Sequence, residues 1–118
     1  MGTKSPDTAS FLPLTDLAFN VLVVLSGTPL HGYALLRELR VRTGRGSLRT
    51  GTVYGALARL TESGLVREVD APPGEADDER RRFYGVTALG TEVARAEARR
   101  LREVLHLASE KDLVEGES

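Results

Sequence analysis

Leu48–Val66 reads LRTGTVYGALARLTESGLV, and the fold follows from it. Val53, Ala56, Leu57 and Leu60 recur at i, i+3, i+4 and i+7, the spacing that lines one face of an α-helix. The opposite face carries only Gly51, Gly55, Ala58 and Glu62, flanked by Tyr54 and Arg59. Thr50 is placed to cap the N-terminus, and Ser63-Gly64 ends the helix, glycine being suited to the left-handed conformation of a C-terminal cap. A helix with so little bulk on its outward side can bring its axis close to another surface.

Working back from this stretch, Thr43–Ser47 (TGRGS) is a turn with two glycines. Before it, His31-Gly32-Tyr33 opens a helix running to about Arg42, with Leu35, Leu36 and Leu39 as core residues. His31 is read as a local hydrogen-bonding residue at that helix entry. Two helices joined by a short glycine-containing turn form a helix-turn-helix, whose second helix usually enters the DNA major groove. Gly27-Thr28-Pro29 separates this pair from a first helix over Pro13–Ser26, with Thr15 as its cap and Asp16 favourable in the first turn. Phe19, Val23 and Val24 make that helix apolar on its second side too, which points to a second subunit. Residues 1–10 are small and polar and are expected to be disordered.

Working forward, Leu65–Asp70 and Arg82–Val86 alternate as strands do. The charged, Pro/Gly-containing segment between them, with Glu75, Asp77, Asp78 and Glu79, reads as the tip of a two-stranded wing. Thr87 then caps a last helix, roughly Ala88 to Ser109, about 30 Å long at 1.5 Å per residue. That exceeds what so small a domain can cover. Leu89, Val93, Ala96, Leu101, Val104, Leu105 and Ala108 share one side of it, so a dimer is expected. Arg100 falls within this stripe. Either it pairs with Glu97 one turn back, or it fixes dimer register or meets an anionic effector.

At 118 residues the chain is one domain by length. It has no cysteine, which excludes disulfides and thiolate metal sites. The two histidines, His31 and His106, are too few for a metal site. No signal peptide or membrane span is evident, and a cytoplasmic location is expected. Gly46 and Gly51 have phosphate-loop spacing, but Thr52 stands where the lysine belongs. No nucleophile–base or acid–base set stands out. Neither an enzyme nor a metal or other cofactor is expected. Formal net charge is −1, but it is unevenly spread. Arg37–Arg67 holds seven arginines against Glu38 and Glu62, a basic strip around the third helix that fits DNA.

The motifs LHGYALLREL at Leu30–Leu39, GTVYGALARLTESGLV at Gly51–Val66 and RRRFYGVTALG at Arg80–Gly90 occur in order at fitting separations. Together, over about Leu14–Gly90, they resemble the PadR family of winged helix-turn-helix transcriptional regulators in its short form with a single C-terminal helix. The resemblance implies a mainly α fold of three helices, a two-stranded β wing and a long dimerisation helix. Its expected divisions are a winged helix-turn-helix over 11–87, the dimerisation helix over 88–110 and an acidic tail over 111–118. It further implies a homodimeric repressor that binds an inverted repeat and is released by a small aromatic or phenolic effector. Two features depart from the family pattern: Gly55 stands where many members have proline, and the wing tip is acidic where many are basic.

Combined with the residue-level reading, the expected DNA contacts are Tyr33, Arg49, Thr50, Gly51, Thr52, Tyr54, Arg59, Arg80, Arg81 and Arg82. Tyr33 has a second reading, as an aromatic packed on Leu36. The expected dimer interface comprises Leu17, Val21, Leu22, Leu25, Val93, Ala96, Leu101, Val104, Leu105 and Ala108. Phe11, Phe19 and Arg100 are the candidates for effector or register contacts. A competing reading keeps the winged helix as a protein-interaction module without specific DNA binding, supported by the acidic wing tip and the near-zero net charge.

Overall fold

The computed structural model describes residues 8–44, 46–72 and 82–116. A single 3-10 turn, Thr8–Phe11, leads into α1 (Asp16–Leu25), β1 (Leu30–His31), α2 (Gly32–Thr43), α3 (Thr50–Glu62), β2 (Val66–Val69), β3 (Phe83–Val86) and α4 (Ala88–Glu110). This is a mainly helical winged helix-turn-helix closed by a long helix. Residues 8–10, expected to lack structure, belong to that first turn, which packs against α4. Residues 1–7 lie outside the described residues.

The helices form where the 3.6-residue spacing places apolar side chains on one face. Val21, Leu22 and Leu25 of α1 meet Leu35, Leu36 and Leu39 of α2 and Val53, Leu57 and Leu60 of α3. Leu65, Val66 and Val93 complete this core, every member of which is at most 5% exposed. Val21, Leu22, Leu25, Val93 and Ala96, expected at a dimer interface, are therefore buried within one chain. Leu17 is half-buried against the same cluster. A face apolar enough to join two subunits is equally apolar enough to fill the chain's own core, and here the core takes it.

The wing is also more than two strands. β3 lies between β2 and β1, antiparallel to both, with Leu30 opposite Tyr84, His31 opposite Phe83, and Val66 opposite Val86. β1 is two residues long, and its partner lies more than fifty residues away in sequence, so no local pattern announces it.

The T-x-x-G motif at the start of α4 has a steric cause. The Thr87 hydroxyl accepts from Gly90 N at 2.9 Å and donates to the Gly64 carbonyl at 2.7 Å, while Thr87 N donates to the Leu65 carbonyl at 3.0 Å. This locks the wing's entry to the helix start. A Cβ on Gly90 would fall on the Leu65 carbonyl oxygen, so only glycine lets the helix approach this closely. Further along α4, Glu97 is 1% exposed. Its carboxylate accepts from Leu14 N at 3.0 Å and from the Arg100 guanidinium at 2.6 and 3.1 Å. The Arg100 bond in the first place, helped by Leu14 N–H, holds the Glu97 pKa below its ordinary value against the opposing effect of burial.

Candidate nucleic-acid interface

α3 is fixed from behind by its core face, which leaves Gly51, Thr52, Tyr54, Ala58 and Arg59 on the outside. Its N-terminus differs from expectation. Thr50 is the first helical residue rather than the cap; Arg49 holds the cap position, and no side chain caps the helix. The Arg49 carbonyl accepts from Thr52 N and Val53 N at 3.1 and 3.2 Å. The Thr52 N–H is thus engaged within the chain. Those of Thr50 and Gly51 have no side-chain partner among the described residues, and uncapped N–H groups at a helix start favour an anion.

The H-G-Y and G-T-x-Y motifs meet in space. A Cβ on Gly32 would collide with the Tyr54 phenol ring and its oxygen, so the bare glycine at the start of α2 is what admits that ring. Tyr54, 42% exposed, therefore stands against the α2 N-terminus and joins the two helices of the helix-turn-helix. His31 caps α2, its Nδ1 accepting from Ala34 N at 3.2 Å, and its ring meets Phe83 edge-on at 5.5 Å. That geometry puts the neutral ring's proton on Nε2. Tyr33 does not pack on the core beside Leu36. It is 58% exposed, with the Arg37 guanidinium 5.6 Å from its ring centre.

The basic strip divides by use. Arg40 turns inward, its Nε and Nη2 donating to the Leu48 carbonyl at 3.0 and 2.7 Å. It ties α2 to the segment that launches α3, a structural task that counting charges cannot reveal. Arg42 pairs with Glu38 at 3.2 Å, and Arg82 pairs with Glu68 at 3.1 Å. Both pairs are exposed, so each is weak. Arg49, Arg59 and Arg67 are exposed and have no ion pair among the described residues. Arg45, Arg80, Arg81 and the acidic wing tip lie outside the described residues. In the wing, burial above all, with Glu68 nearby, raises the Tyr84 pKa.

Phe11, Phe19 and Arg100 do not converge on one site. Phe11 lines a groove of about 220 Å³ between the N-terminal segment and the C-terminal half of α3, with Leu14, Ala18, Ala56 and Leu60. Phe19 is half-buried on α1, and Arg100 is committed to Glu97. The Glu97–Leu14 bond was not foreseen, although Glu97 stands four residues after Val93 and so on the apolar stripe. No group of side chains able to hold a metal ion occurs among the described residues. Nor is any described helix long and apolar enough to cross a membrane.

Residues 21–96 match the Transcriptional regulator PadR-like family. The chain belongs to that family. Its fold is shared by a PadR family transcription regulator from Clostridium difficile R20291 (20% identity, TM-score 0.68, covering 80% of this chain and 95% of that one). A PadR-like transcriptional regulator from Bacillus cereus gives 22% identity and a TM-score of 0.67 over 86% and 93% of the two chains. An uncharacterized 37.1 kDa protein in transposon TN4556 of Streptomyces fradiae is 36% identical over 83 residues, 70% of this chain. The chain spans only 22% of the length of that relative. The family match and the two solved relatives are all described as transcription regulators.

Proposed function

We propose that this chain is a homodimeric, sequence-specific DNA-binding transcriptional repressor that binds an inverted repeat. α3 lies in the major groove, with Arg49 and Arg59 available to phosphates or guanine edges. The observation that carries this reading is the contrast across α3: a fully buried face opposite one of glycine, alanine and an arginine with no ion pair among the described residues. Tyr33, Thr50, Gly51, Thr52 and Tyr54 complete the contact set, and Arg82 approaches from the wing. Arg80 and Arg81 are proposed from sequence alone.

Two copies join through the second half of α4, where Leu101, Val104 and Leu105 are 38, 51 and 55% exposed beside half-buried Ala108. Half-sites would then be centred about 34 Å apart, or a multiple of that. A small aromatic effector would act by favouring one spacing of the two α3 helices over another.

Fluorescence anisotropy of the protein's own promoter fragment at two salt concentrations tests the reading. Affinity is expected to fall steeply with salt, by about 0.9 log units per log unit of salt for each phosphate contacted. Arg59→Ala and Thr52→Ala are expected to weaken it. Weak, salt-indifferent binding by a folded dimer would favour the protein-interaction module instead.

A further inference from the structure

Gly55 is an unexpected residue for the middle of a helix, where glycine is less favourable than alanine by about 1 kcal/mol. Packing among the described residues does not require it. Among them, and apart from the helix's own backbone, a Cβ at this position would meet within 4 Å only Arg59 Nη1, at 3.6 Å. Side chains on a helix lean toward its N-terminus, so residue 59 covers the turn that residue 55 occupies. Arg59 Nη1 accordingly stands beside the bare Gly55 position, while the same side chain also lines the groove it shares with Phe11, Leu14 and Ala18. Arg59 pairs with no acid among the described residues, Glu62 one turn ahead included.

The displacement matters because residues in the N-terminal half of a recognition helix are the ones that reach base edges. Arg59 stands in the C-terminal half, yet its five N–H donors are carried one turn toward the reading end. We propose that Gly55 and Arg59 form one reading unit, in which the missing side chain at 55 sets where the Arg59 guanidinium meets a guanine. Residue 55 is then a specificity-determining position that touches no base itself. This rests on the DNA-binding reading above and deepens it.

The test is selection from a randomised DNA pool by wild type, Arg59→Ala, Gly55→Leu and the double variant, each first shown to be folded by its thermal transition. Wild type is expected to select guanine at one fixed position in each half-site, and Arg59→Ala to lower that preference by about 10-fold or more. Gly55→Leu, which fills the space beside Arg59 Nη1, is expected to abolish or move the same preference. In the Arg59→Ala background it should change nothing further at that position, the mark of coupled residues. Gly55→Ala makes only ordinary contact at 3.6 Å, and so should keep the preference while raising the thermal midpoint. A preference profile that Arg59→Ala leaves intact would overturn the inference. So would a Gly55→Leu profile matching wild type, or one whose effect simply adds to that of Arg59→Ala. If wild type selects no sequence at all, the DNA-binding reading fails along with it.

Discussion

The two halves of α4 carry the same apolar periodicity and meet different fates. In the first half Gly90, Val93, Ala96 and Glu97 are buried against the chain's own wing, α1 and N-terminal turn. In the second, Leu101, Val104, Leu105 and Leu107 stay exposed. The change falls at Arg100, which holds the last buried residue of the helix. A stripe of apolar residues states that something covers it, without stating whether that is the same chain or another. The length of the domain in front of the helix decides where the first kind of cover ends.

That contrast can be broken from its buried side first. Gly90→Ala forces a methyl group onto the Leu65 carbonyl, a backbone group that cannot swing aside as a flexible side chain would. It is expected to cost about 3 kcal/mol, read as a large drop in the urea or thermal midpoint. Glu97→Ala leaves Leu14 N–H and the Arg100 guanidinium without their acceptor and should cost about 2 kcal/mol. The Glu97 contribution also depends on pH. Because its folded pKa is lowered, the stabilisation is complete above the ordinary value of 4.5 and is lost as pH falls through the folded value. A stability–pH profile of Glu97→Gln should therefore converge on wild type below that range. A constant gap down to the acid limit would rule out the carboxylate as the cause. Thr87→Ala removes the α4 cap, and a loss of about 1 kcal/mol is expected in chemical denaturation.

The smallest effect on the chain's own stability should come from the exposed half. Leu105→Glu is expected to leave that stability within about 0.5 kcal/mol, while sedimentation shows a monomer. The melting temperature should also lose its dependence on protein concentration, since association stabilises by mass action.

All four helices were legible because each pairs a 3.6-residue apolar period with local punctuation. Thr15 caps α1, Thr87 caps α4, and Gly64 adopts the left-handed conformation, φ 81°, after α3. The family was legible because three motifs occur in order, and the structure supplies the reason for two of them in the close approaches at Gly32 and Gly90. What could not be read depends on distant partners. β1 exists only through its pairing with β3. Arg40 looks like one of seven equivalent arginines until its fork meets the Leu48 carbonyl. Val21, Leu22 and Leu25 satisfied an interface pattern and a core pattern equally, and only packing distinguishes them.

The proposal that α3 reads DNA while the second half of α4 joins two copies is decided by the affinities of wild type and Leu105→Glu for a selected inverted repeat and for one isolated half-site. Wild type is expected to bind the full site about 100-fold more tightly or better than the half-site, the gain that follows when a second contact becomes intramolecular. Leu105→Glu should bind both with the same weak, salt-sensitive affinity. Equal wild-type affinity for the two sites, or a Leu105→Glu protein that keeps the full-site advantage, would contradict it.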